Sequence, residues 1–184
     1  AGTIGKIIKS KNKNFNNGNY VSGWGGVQDY IISDGKDFIR IDDNKVKKET
    51  YLGALGMPGM TAYFGILKEG NIKKGETVVV SAAAGTVGSI VGQIAKIKGC
   101  KVIGIAGGKD KSDYVKNTLK FDECLDYKKE NFFNDLRIIC KKGVDVYFDN
   151  VGGELLDRMM LLISKGARIV ICLSLIHISE PTRL

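Results

Sequence analysis

Three glycines, Gly85, Gly88 and Gly92, hold the clearest chemical promise in the sequence. They follow a β-branched run, Glu76–Val80, and open a stretch with apolar residues at helical spacing. Small residues at such a junction let the backbone turn tightly. They also let a pyrophosphate approach a helix N-terminus, where unpaired N–H groups and the helix dipole favour an anion. Gly92, one turn further on, permits close packing of helix on sheet. The glycine spacing alone has a plain packing reading. The strand before it, the helix after it and a second strand at Lys101–Ala106 supply the context of a dinucleotide-binding turn.

The end of that second strand indicates which dinucleotide. An NAD site places Asp or Glu about 20 residues past the motif, where it accepts from the ribose 2′-OH. Here the chain carries Gly107 and Gly108, then Lys109, Asp110 and Lys111. The glycine pair leaves room for a 2′-phosphate, and Lys109 or Lys111 can neutralise it. Asp110 argues the other way and is expected to face solvent; an exposed lysine turn is the alternative reading. The predicted cofactor is NADP(H).

Alternating strands and helices must position these residues. Val87, Ile90, Val91 and Ile94 recur on one helical face, and Gly99 ends that helix. A helix over 112–119, a strand over 123–127, a helix carrying Phe132, Phe133, Leu136 and Ile139, a strand over 144–149, a helix over 154–163 and a strand over 167–172 follow. The predicted fold class is α/β, a Rossmann-type parallel sheet with helices on both faces. Residues 1–50 differ: β-like pieces at 3–8, 27–32 and 38–41 lie between Gly, Asn and Asp turns, as in part of a small β domain. The Gly-rich stretch from Tyr51 enters a helix near Met60, and Tyr63 is expected in the core.

The 184 residues suffice for one domain plus part of another, and 43% hydrophobic with 26% charged residues is ordinary for a globular chain. No apolar run approaches the roughly 18 residues of a membrane span. Cys100, Cys124, Cys140 and Cys172 lie far apart without a CxxC pair, so no metal site is expected and a reducing, cytoplasmic setting is. The net charge of +8 comes without interleaved basic and aromatic residues, so no nucleic acid is expected as partner. The chain begins at Ala1, so the natural N-terminus is expected to be missing. Residues 173–184 hold the only histidine, His177, and read as a translated sequencing adapter. His177 is therefore not a catalytic candidate.

Three ordered motifs, Met57–Tyr63, Ala82–Gln93 and Tyr147–Gly153, resemble the prostaglandin reductase and alkenal double-bond reductase branch of the zinc-independent medium-chain dehydrogenase/reductase superfamily, which includes curcumin-reductase-like enzymes. The resemblance spans residues 1–172. It implies that residues 1–50 are the late part of a GroES-like catalytic domain and residues 51–172 an incomplete, five-stranded NADP-binding domain. It carries cofactor-binding roles onto Gly85, Thr86, Val87, Gly88, Lys111 (2′-phosphate), Tyr127 (phosphate or adenine side) and Asn150 (nicotinamide side). Tyr127 as a strand-end aromatic and Asn150 as a turn cap are the plainer readings. The implied chemistry is NADPH-dependent reduction of the carbon–carbon double bond of an α,β-unsaturated ketone or aldehyde. The tyrosine usually assigned to the substrate carbonyl is expected after Cys172, which leaves no catalytic residue in the chain and makes it an inactive fragment as it stands. A homodimer is the candidate assembly of the full-length protein. An NADPH-dependent quinone reductase shares fold and cofactor and is the alternative enzyme. A non-catalytic NADPH- and RNA-binding protein is the alternative of another class, distinguished by a steep salt dependence.

Overall fold

The computed structural model describes residues 2–42 and 44–172. The tail from residue 173, with His177, lies outside them. Two compact units divide at Met60 and Thr61. In the first, β1 (Thr3–Lys6), β2 (Tyr20–Gly23) and β3 (Phe38–Arg40) form an antiparallel sheet in the order β1-β2-β3. Two expectations fail here. The apolar run at 27–32 pairs with nothing among the described residues, and Val27 and Ile32 stand exposed. The middle strand is instead Tyr20–Gly23, which buries only Val21, too short a signal to stand out among asparagines and glycines. Helix α1 (Met57–Phe64) runs across the boundary, and its Tyr63 is exposed rather than in the core, edge-on to Phe64.

The second unit is a five-stranded parallel sheet, β4 (Thr77–Val80), β5 (Lys101–Ala106), β6 (Glu123–Asp126), β7 (Val144–Asp149) and β8 (Ile163–Ile171), in the order β6-β5-β4-β7-β8. The α/β Rossmann-type expectation is met: strand order reverses beside β4, the place where such sheets open a crevice at their carboxyl ends. Side chains alternate between two apolar layers with the period of 2 that a strand imposes. Val78, Val80, Val102, Val146 and Phe148 face one layer with Val91 and Ala95 of α2 (Thr86–Ile97). Val79, Ile103, Ile105 and Tyr147 face the other with Phe132 and Leu136 of α4 (Phe132–Ile139) and Met159 of α5 (Gly153–Met160). Helices on both faces explain why these strands read as continuous apolar runs.

Boundaries shift where tertiary contacts outweigh local pattern. The helix expected at 112–119 begins earlier as α3 (Lys109–Asp113) and continues in wider turns through Thr118. The helix expected to reach residue 163 stops at Met160, because β8 starts at Ile163 to pair with β7. At the far end of the sheet, Arg168 of β8 donates to both Glu76 oxygens (2.9 and 2.6 Å) and to Gly70 O (2.9 Å). This fork-shaped pairing holds the Glu76 carboxyl below its ordinary range.

The buried stripe of α2 is narrower in side chain than its sequence suggests. Gly88, Val91, Gly92 and Ala95 are buried, while Val87, Ile90 and Ile94 flank them partly covered. A methyl group at Gly92 would lie within the ring of Phe121, itself only 3% exposed. Ala would gain up to about 1 kcal/mol in helix propensity. Overpacking costs roughly 1–3 kcal/mol, which outweighs that gain. Gly92→Ala is therefore expected to lower the urea midpoint of the full-length protein. An unchanged or raised midpoint would show that Phe121 yields freely.

Candidate functional site

The carboxyl ends of β4, β5, β6 and β7 open into one cavity of about 510 Å³ within the second unit. That volume lies in the usual range for small-molecule sites. Its floor is the turn after β4. Ala82 there has φ +48°, a left-handed conformation uncommon for a residue with a Cβ, and such strain tends to cluster at functional sites. Ala83 N donates to Ile105 O (2.9 Å) and Gly85 N to Ala82 O (2.9 Å), which fixes the turn between two strand ends. Helix α2 then starts with Gly85 as its N-cap and with no side chain capping it. The N–H groups of the first turn, those of Thr86, Val87 and Gly88, are the ones an α-helix leaves without intrahelical acceptors. Gly88 must be small: a Cβ there would stand 2.5 Å from Ala82 O.

Gly85, Lys111 and Tyr127 are brought together as cavity walls, with Ala82, Ala106 and Gly107. Lys111 reaches it from α3, whereas Lys109 and Asp110 are exposed outside that wall. Tyr127 follows β6 and lies against Gly107, where a Cβ would come within 2.6 Å of its ring. Thr86 is exposed, and Val87 and Gly88 complete the first turn without lining the cavity. Apolar side chains close the opposite wall, among them Phe132, Phe133 and Leu155.

Asn150 does not line the cavity; it bridges strands. Its N donates to Ser81 Oγ (2.8 Å) and its Nδ2 to Ser81 O (2.8 Å), joining the ends of β7 and β4. The turn that follows is capped by Asp149, whose Oδ1 accepts from Val151 N (3.0 Å) and Gly152 N (2.9 Å). The same oxygen accepts from Tyr147 Oη (2.8 Å) and Ser81 Oγ (3.2 Å). Asp149, Tyr147 and Ser81 are all fully buried. Burial pushes the Tyr147 phenol well up, so it remains a donor. Asp149 Oδ2 is buried without a partner among the described residues.

Sequence reasoning missed this network. In the sequence Asp149 ends a predicted strand and Tyr147 falls in a family motif, but nothing assigns a role to Ser81 or a bond between the three. The available signal was Asp149 itself, a carboxylate ending a strand buried on both faces, since a buried charge requires donors.

This geometry belongs to a known family. Residues 86–177 match the family model described as "Zinc-binding dehydrogenase". The chain belongs to that family. It is 44% identical over 93% of its length to the NADPH-dependent curcumin reductase of Escherichia coli (strain K12), covering 50% of that protein. It is 43% identical over 92% of its length to the NADP-dependent 2-alkenal reductase of Nicotiana tabacum, again covering 50%. The crystal structure of CurA in complex with NADPH from Vibrio vulnificus superposes with a TM-score of 0.88 at 47% identity, over 94% of this chain and 51% of that one. The chain thus spans about half the length of the curated relatives it matches. Despite the family's description, no three His, Cys, Asp or Glu side chains among the described residues group as a metal site.

The Asp149 network carries its own test. Tyr147→Phe removes one donor to a buried carboxylate, and hydrogen bonds to charged groups contribute about 1.5–3 kcal/mol. Denaturation of the full-length variant should show a loss of this order. Unchanged stability would mean that the phenol does not support the carboxylate.

Proposed function

We propose that the full-length protein is an NADPH-dependent reductase of the carbon–carbon double bond in α,β-unsaturated ketones or aldehydes, zinc-independent and cytoplasmic. The observation that carries this reading is the convergence of an uncapped helix N-terminus, Lys111 and Tyr127 on one cavity at the carboxyl end of the sheet. The substrate class follows from the curcumin and 2-alkenal reductases to which the chain is similar.

The residues present fit the cofactor. Thr86, Val87 and Gly88 offer backbone N–H groups to a pyrophosphate, the absence of a side-chain cap leaves them available, and Gly85, whose own N–H is held by Ala82 O, lets the phosphates approach closely. Lys111 supplies the positive charge that a 2′-phosphate requires, and Gly107, having no Cβ, lets the Tyr127 ring close against the loop. Phe132, Phe133 and Leu155 offer an apolar wall suited to an adenine ring. Asn150 is held at the reversal of strand order by Ser81, next to the proposed nicotinamide side. NADPH, when bound, supplies the hydride for the reduction. The chain's contribution is to bind and orient it, since positioning is the protein's share of cofactor chemistry.

The zinc-independent reading rests on the donor set. The four cysteines are unpaired, and none shares a cluster with two further ligands among the described residues. Four unpaired thiols also support a reducing compartment. No helix among the described residues is long and apolar enough to cross a membrane.

Two measurements test the reading. In fluorescence titrations the full-length protein should bind NADPH at least about tenfold more tightly than NADH, and Lys111→Ala should weaken NADPH while leaving NADH nearly unchanged. Equal affinities would contradict the assignment. Elemental analysis should find no stoichiometric zinc, and one tightly held zinc per chain would refute the metal-free reading.

A further inference from the structure

Asp126, the last residue of β6, ties together the two loops that present Lys111 and Tyr127. The β5–β6 ladder ends at the pair Ala106 and Asp126, closed by Tyr127 N donating to Ala106 O (3.0 Å). Beyond it the Asp126 side chain supplies the next connection. Its Oδ1 accepts from Gly108 N (2.7 Å), in the loop after β5, and from Lys128 N (3.0 Å), in the loop after β6. Gly108 has φ +91° and is the residue from which α3, with Lys111, departs. Its neighbour Gly107 lies where an added Cβ would run into the Tyr127 ring. Lys111 and Tyr127 are themselves exposed, Tyr127 by 56%, so little side-chain packing locates them. Their placement falls to the backbone that Asp126 holds.

We infer that Asp126 is a positioning residue for cofactor selectivity: through the Gly107–Gly108 turn and Tyr127 it sets the preference for a dinucleotide bearing a 2′-phosphate. The inference rests on the reading that the cavity takes NADPH with that phosphate at Lys111. The carboxylate acts by the place of its acceptor oxygen, because a negative charge beside a phosphate subsite opposes binding. Two N–H donors and the nearby Lys128 and Lys129 offset that charge. The same contacts, the Gly108 N–H foremost, hold the carboxyl below its ordinary range.

Two conservative variants separate geometry from charge. Asp126→Asn keeps an acceptor oxygen in place and removes the charge. Asp126→Glu keeps the charge and moves the acceptor by one methylene. Dissociation constants for NADPH and NADH, with Tm as a control, are measured on the full-length wild type and both variants. Asp126→Asn should retain the wild-type NADPH/NADH preference or exceed it. Asp126→Glu should lower the preference about tenfold, the equivalent of one charge-assisted hydrogen bond, through weaker NADPH binding at nearly unchanged NADH affinity. A preference that survives Asp126→Glu overturns the inference alone. So does a parallel loss for both cofactors with a fall in Tm, the mark of a purely structural role. A wild type without preference for NADPH removes the underlying reading and the inference together.

Discussion

Everything at the candidate site depends on how closely the start of α2 approaches the end of β4. Gly88 sits where a Cβ would meet Ala82 O, and Gly92 where one would enter the Phe121 ring. Between them these contacts seat the helix on the sheet with its first N–H groups over the carboxyl edge. The strained Ala82 turns the chain sharply enough to allow it. Loosening this approach by one methyl would tilt the helix N-terminus away from the strand ends, and the positive end of the helix dipole would no longer face the cavity. The apolar layers of the sheet matter to function chiefly because they hold α2 at this distance.

Around that fixed point the other strand ends are secured by polar groups of different character. The β7 end is held in the interior, where Asp149 collects four donors and Asn150 grips Ser81. In a low-dielectric setting such a network is costly to break, so it rigidifies the crevice at the strand reversal. The β5 and β6 ends are held at the surface by a single carboxylate oxygen on two loop N–H groups. Rigid support on the side proposed for the nicotinamide and a lighter tether on the side proposed for the 2′-phosphate suit different tasks. Hydride chemistry demands tight geometry, whereas the 2′-phosphate subsite needs its two loops held at the right distance, which the Asp126 contacts do.

The parallel sheet was legible because each strand is buried on both faces. Val78, Val79 and Val80 read as one apolar run for that reason, and β5 and β7 match their expected ranges at Lys101–Ala106 and Val144–Asp149. The glycine turn was legible too, since its spacing encodes steric limits that few other residues satisfy. What escaped was non-local. Residues 27–32 have strand-like composition but no partner among the described residues, while Tyr20–Gly23 gains its strand from pairing with β1 and β3 on either side. Helix α5 yields to β8 because pairing with β7 outweighs local propensity. Asn150 looked like a ligand-facing or capping residue, yet its hydrogen bonds go to Ser81, some 69 residues away in sequence. No local pattern encodes a bond of that separation.

The β4–α2 turn and the β5 and β6 ends are proposed to form a single NADPH site. A crystal structure of the full-length protein with NADP+ tests this most directly. The pyrophosphate should lie over the backbone of Gly85–Gly88 and the 2′-phosphate within hydrogen-bonding distance of Lys111, beside Tyr127. A dinucleotide bound outside this cavity, or one whose 2′-phosphate points to solvent away from Lys111, would contradict that assignment.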